Sequence, residues 1–218
     1  MSMVWSQFIQ ATCLPGTCGC EFIHFGEWIR QPANFWSSLF YVVLSALIWA
    51  QSKTFYQKFW SVLCLILGIS SHLAHASFIQ LAMSADFASI ITLMVFPVLM
   101  QFSQHLTRVV NILLVVLFYF FIFCVMFFLG KVAKITICLA IFSGVLWYHL
   151  KFLREALRSP LFIKTLILLF AGFSFFILDE GKVFCDPYSW FQLHSLWHLL
   201  TALSLYYYSK WIFNSGKW

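Results

Sequence analysis

The chain has 218 residues, of which 62% are hydrophobic, 21% aromatic and only 9% charged, with a mean hydropathy of +0.90. A soluble domain carries about 25% charged residues, so this composition excludes a water-soluble core and points to a polytopic membrane protein. The formal net charge of +6 rests on 13 Lys and Arg placed singly between apolar runs, a pattern that argues against a nucleic-acid partner and for membrane orientation.

Residues 1–15 lack both a positive leading region and a continuous apolar run, so no secretory signal peptide is expected and the first apolar helix must direct insertion. Between Glu21 and Gln31, Phe22, Ile23, Phe25, Trp28 and Ile29 alternate with Glu and Arg, the pattern of an interfacial segment. Pro32 suits the first turn of a helix, where a missing N–H costs little. Seven apolar stretches of about 20 residues follow, long enough to cross a hydrocarbon core of about 30 Å. They cover 34–51, 58–79, 85–103, 109–129, 132–150, 161–178 and 193–212, the third being weakest because its start holds Ser84, Asp86 and Ser89. No repeat or long linker divides the chain. The expected organisation is a tail with interfacial segment (1–33), an all-α seven-span bundle (34–212) and a short C-terminal tail (213–218).

Lys and Arg divide unevenly between the two sides. Connections after spans one, three and five, with the C-terminal tail, hold nine: Lys53, Lys58, Arg108, Lys151, Arg154, Arg158, Lys164, Lys210 and Lys217. The opposite side holds four: Arg30, Lys131, Lys134 and Lys182. The positive side is normally cytoplasmic, which predicts an outside N-terminus and a cytoplasmic C-terminus. On that topology Ser71 and His75 lie near the outer end of span two, Asp86 near the outer start of span three, and His194 and His198 near the outer start of span seven. Five costly polar groups therefore fall at one level of the membrane.

An intramembrane ionisable residue is a functional-site hypothesis by default. His194 and His198 are spaced i,i+4, so their rings project about 40° apart on one helical face. With His75 they form three nitrogen ligands that leave a fourth tetrahedral position open, the pattern of a catalytic zinc. Asp86 is then the expected general base and proton shuttle. Ser71, one turn before His75, is placed to hydrogen-bond the developing oxyanion or to hold the attacking water. A lone histidine between helices more often bonds a neighbouring helix, and it is the pairing that favours metal. His72 is a candidate neighbour of the site; His105 and His149 belong to the cytoplasmic interface. Asp179 and Glu180 are either a solvated loop start or outer support for a ligand histidine. Cys64, Cys124 and Cys138 lie within spans as inert small hydrophobes. Cys13, Cys18, Cys20 and Cys185 fall on the outer side, where oxidation is open to them and spacing alone does not fix the pairing.

At these residues the chain resembles the alkaline ceramidase family, within the larger CREST group of seven-span metal hydrolases. That group also holds adiponectin-receptor-like and GPI-anchor lipid-remodelling proteins. G-I-S-S-H-L-A-H at 68–75, with Asp86 eleven residues beyond His75, is similar to the family's Ser-x3-His followed by Asp. L-H-S-L-W-H-L-L-T-A at 193–202 is close to its H-x-x-W-H-x-L-T, and Cys20-Glu21 followed by A-N-F-W-S-S at 33–38 is similar to its N-terminal pattern.

The resemblance implies zinc on His75, His194 and His198, catalytic roles for Ser71 and Asp86, and a disulfide between Cys20 and Cys185. Family members also hold a calcium ion near the N-terminus. Here Glu21, Glu27 and Asn34 are the candidates, but Asn34 stands where the family has Glu and Ser37 where it has Asn. Calcium takes six to eight oxygens, usually with several carboxylates, so that set is depleted. The expected reaction is amide hydrolysis of a ceramide-like membrane lipid to a fatty acid and a long-chain amine. The alternatives are an ester or phospholipid acyl hydrolase using the same metal, an adiponectin-receptor-like sensor, for which the short tails leave little to couple, and a solute pathway, which would need polar groups at several depths.

Overall fold

The computed structural model describes residues 4–11, 19–103 and 105–214, leaving aside the side chains at 131, 135, 146 and 148–155. Cys13, Cys18 and Lys217 lie outside the described residues, and the side chains of His149, Lys151 and Arg154 are among those left aside. Every regular element among the described residues is a helix: α1 (Pro32–Ser37), α2 (Leu39–Gln51), α3 (Phe55–Ser77), α4 (Gln80–Phe102), α5 (Arg108–Phe128), α6 (Lys131–Ala156), α7 (Pro160–Glu180) and α8 (Leu193–Asn214).

The sequence marks its own helix ends. Pro32 and Pro160 occupy the first turns of α1 and α7, where the absent N–H has no intrahelical partner to lose. Thr54 and Gln57 form a reciprocal capping box at the start of α3: the Thr54 hydroxyl accepts from the Gln57 N–H at 3.3 Å, and Gln57 Oε1 accepts from the Thr54 N–H at 3.1 Å. At the other end of α3, Phe78 turns into the left-handed region (φ 50°) while its N–H donates to Ala74 O at 2.8 Å. Only Phe78 and Ile79 separate α3 from α4, so the two helices are forced into an antiparallel hairpin.

α3 packs on α2 and α4, α4 on α5, and α7 on α8, while the short α1 rests against both α3 and α8. Gly68 permits the α2–α3 approach, because a Cβ there would stand 2.7 Å from Val42 Cγ2 and 3.0 Å from the Val42 backbone nitrogen. Polar side chains cross between helices in pairs: Ser61 Oγ donates to Ser45 O (2.7 Å), Ser204 Oγ donates to Thr165 O (3.0 Å), and Ser70 and Ser89 share a bond at 3.0 Å. Between them lies an apolar core around Trp60, Leu63, Leu67, Phe96, Met100 and Val115.

Five helical stretches are long and apolar enough to cross a membrane by length and composition: Pro32–Gln51 (α1 with α2), α3, α4, α5 and α7. α5 and α7 present large apolar side chains outward at helical spacing, Leu113, Leu117, Phe120 and Phe121 on one, Ile167, Phe170, Phe173 and Ile177 on the other. Exposed apolar stripes of this extent call for an apolar surrounding. The remaining two predicted spans coincide with helices of a different character. Among the described residues α6 holds an apolar run over Val132–Val145, and α8 carries His194, His198, Thr201, Ser204 and Ser209 along its length. The weak third stretch begins a turn earlier than its hydropathy suggests, at Gln80 rather than residue 85, because the Phe78 cap restarts the helix at once.

Candidate metal centre

His75 comes from the last turn of α3 and His194 and His198 from the first two turns of α8. The chain brings them together: one ligand atom from each lies within 4.8 Å of the others, and this is the one such group among the described residues. The ring centroids are 5.2 Å (His75–His194), 5.0 Å (His75–His198) and 4.7 Å (His194–His198) apart. A tetrahedral zinc about 2 Å from each ring nitrogen sets such centroids about 5 Å apart, so the spacing fits.

Which nitrogen faces the centre follows from what the other one touches. His75 Nδ1 lies 2.8 Å from Gln31 Oε1. An amide oxygen only accepts, so Nδ1 carries the proton and Nε2 the lone pair. That Nε2 is buried and has no hydrogen-bond partner, the orphaned atom a metal would complete. His198 Nδ1 lies 2.8 Å from Ser37 Oγ, and Ser37 spends its proton on Asn34 O at 3.0 Å. Ser37 must therefore accept from His198 Nδ1–H, which again leaves Nε2 as the free donor. His194 is steadied by Asp179, whose Oδ1 accepts from the His194 backbone N–H at 3.3 Å. Oδ2 sits 3.9 Å from its Nδ1, longer than a hydrogen bond. Metal-binding histidines are oriented by such outer partners in general.

Asp179 in turn ties the site to the N-terminal segment. It is almost fully buried, and Oδ2 accepts from the Cys20 N–H at 3.1 Å. Gly19 must lack a side chain, since a Cβ there would overlap that carboxylate. Cys20 is joined to Cys185 by a disulfide with Cα atoms 5.4 Å apart. Just beyond, both oxygens of Glu21 accept from the start of α1, Oε1 from Ala33 N–H (2.6 Å) and Oε2 from Asn34 N–H (3.0 Å). Glu21 thus caps from a distance the helix that carries Ser37. Its burial pushes the carboxyl up to about 7, against the pull of those two N–H groups and with a smaller push from Asp179.

Ser71 and Asp86 form a separate neighbouring pair, with Ser71 near the end of α3 that carries His75. Ser71 is buried on α3 one turn before His75 and is a close neighbour of the Asp86 carboxyl group. Asp86 falls outside the converging ligand set, and its Oδ1 is buried without a partner. Tyr41 of α2 neighbours both Asp86 and His198. Its ring meets His198 edge-on at 5.6 Å, and its hydroxyl is bonded to Thr201 Oγ1 at 2.6 Å.

The residues considered for calcium are engaged separately. Glu21 caps α1, Glu27 is exposed and lies 3.6 Å from His24 Nδ1, and Asn34 Oδ1 accepts from Ser195 Oγ at 3.3 Å. A cation at Glu21 would share its carboxylate with two backbone N–H groups. His72 is a neighbour of His75 but not one of the converging ligands, its Nδ1 3.0 Å from both Ser38 Oγ and Phe35 O and its ring against Phe35. His105 is exposed. Gln31 and Ser37 are the functional residues that sequence reasoning missed. The usable signal was position, since the two stand at opposite ends of the short helix that Pro32 starts, Gln31 at its N-cap and Ser37 as its last residue.

Comparison with models of known protein families and with curated proteins returns no match.

Proposed function

We propose that the chain is a seven-span integral-membrane metal hydrolase that cleaves the amide of a ceramide-like lipid, akin to the alkaline ceramidase family it resembles. In this reading α6 and α8 cross the bilayer with the five more apolar stretches, the N-terminus is outside and the C-terminus cytoplasmic. The observation that carries it is the convergence of three imidazoles whose Nδ1 partners leave Nε2 free on at least two of them, inside an otherwise apolar bundle. Zinc, when bound there, supplies a Lewis acid and lowers the pKa of a coordinated water.

The chain's own groups do the rest. Gln31 and Ser37 hold the ring planes of His75 and His198 and fix their tautomers. Ser71 steadies the Asp86 carboxyl, whose open Oδ1 takes up a proton and returns it to the leaving nitrogen. Tyr41, buried and held by Thr201, packs against His198 and helps keep bulk water from the ring. A lipid reaches the centre laterally, through the apolar helix faces. An ester substrate would use the same groups, and a matched amide and ester series ranks the two.

The test is elemental analysis of purified protein beside His75→Ala, with hydrolysis of an N-acyl lipid measured on both and on His198→Ala. One zinc per chain, lost with activity in the variants, is the expected result. Protein without zinc whose lipid amidase activity survives His198→Ala overturns the proposal.

A further inference from the structure

A second concave site lies against α1, with none of the three histidines in its lining. It is a cavity of about 430 Å³ whose lining includes Glu21, His24, Glu27, Trp36, Tyr188 and Trp190. Its two walls, the segment after Cys20 and the loop after Cys185, are fastened together. The disulfide joins them, Phe22 N–H donates to Pro187 O at 2.9 Å, and the Phe22 ring packs on Tyr188 with centroids 5.2 Å apart. The volume lies in the range of small-ligand pockets.

We propose that this cavity binds an organic ammonium group. The lining holds two carboxylates and three electron-rich rings but neither Lys nor Arg. Anions are therefore disfavoured there, and a cation meets both charge and ring faces. The faces of Trp and Tyr attract ammonium groups through their quadrupoles, most strongly when the group is alkylated and weakly hydrated. A bare divalent ion fits less well, because it needs six to eight oxygens and both Glu21 oxygens already accept from α1. Glu27 is the free acid of the pair, exposed and lying only 3.6 Å from a histidine. Trp36, Tyr188 and Trp190 are 54%, 72% and 69% exposed, so their faces are open to a ligand. The inference stands on this cavity and does not depend on the histidine centre being a hydrolase.

The ammonium can come from a lipid headgroup or from a free amine, and one experiment separates them. Choline is titrated calorimetrically into the full chain in phosphatidylglycerol nanodiscs and, in parallel, in phosphatidylcholine nanodiscs, with empty discs subtracted. Choline binds in phosphatidylglycerol discs; 3,3-dimethylbutanol, the same shape without the charge, binds about tenfold more weakly, and Trp190→Ala and Glu27→Gln each weaken choline by about fivefold. Loss of choline binding in phosphatidylcholine discs assigns the site to a lipid headgroup, and unchanged binding there assigns it to a free ammonium; both support the proposal. No choline binding in phosphatidylglycerol discs, equal binding of the neutral isostere, or indifference to Trp190→Ala overturns it. Both aromatic and acidic positions are exposed, so the variants are expected to fold.

Discussion

Where α3 turns into α4, each side chain around His75 is fixed by direction: an amide oxygen on one imidazole, a hydroxyl on another, a carboxylate shared between α7, α8 and the N-terminal segment. Toward the opposite end of the same two helices, Trp60 and Phe96 meet at 5.7 Å and Phe59 and Phe96 at 5.5 Å, in a cluster held by shape. Lipid tails are as apolar as leucine, so packing there gains only from close contact. The polar end gains from geometry, and its groups cannot rotate without orphaning one another. One end of the bundle sets how firmly the helices hold, the other sets where three nitrogens point.

That division can be broken from either side. Phe96→Ala opens a cavity in the apolar cluster and is expected to cost about 4 kcal/mol, read as a lower midpoint of thermal unfolding, while the protein that remains folded keeps its zinc. Cys185→Ser removes the tie behind the histidines and is expected to cost about 3 kcal/mol; unlike Phe96→Ala, it should lower zinc retention under dialysis. Ser37→Ala leaves the His198 Nδ1–H without an acceptor and should weaken zinc 10–100-fold by competition with a chromogenic chelator, roughly the cost of losing such an outer partner. Ser37→Thr, which keeps the hydroxyl, should restore it, and neither change should move the unfolding midpoint as far as Phe96→Ala.

The smallest effect concerns Glu21. Its folded-state carboxyl titrates at about 7 against an ordinary 4.5, because burial disfavours its charge. The folded protein therefore binds the extra proton between those values, and stability falls as pH rises from about 4.5 to 7. Glu21→Gln keeps an acceptor for α1 and removes the titration, so the midpoint between pH 5 and pH 8 should flatten relative to the parent. An unchanged slope would show that Glu21 does not titrate in that window.

Much of the polar end was legible because its residues are anomalous. A histidine or aspartate within twenty apolar residues needs an explanation, and the spacing of His194 and His198 supplies one. Asp179 was readable as one of two alternatives for the same reason. Gln31 and Ser37 were not, since serine and glutamine are ordinary near a membrane surface and only the folded path of α1 aims them at imidazoles. Glu21 entered only through the family resemblance, as a candidate in a depleted calcium set, and its capping of the N–H groups after Pro32 shows only in the fold. The helices were visible from hydropathy, but the break at Ser38 was not: no glycine or internal proline marks it. Tyr41 looked like any aromatic in a greasy span, and its role comes from Thr201, 160 residues away.

The bond between Cys20 and Cys185 spans 165 residues. During synthesis its first sulfur waits while seven helices are made, and its second emerges just ahead of the helix that delivers two of the three imidazoles. A chain that stops before residue 185 lacks both the bond and two of the three imidazoles. The covalent clasp therefore ties the segment ahead of α1 to the loop that leads into α8, so the earliest and latest described parts of the chain must both be in place before the three imidazoles can meet.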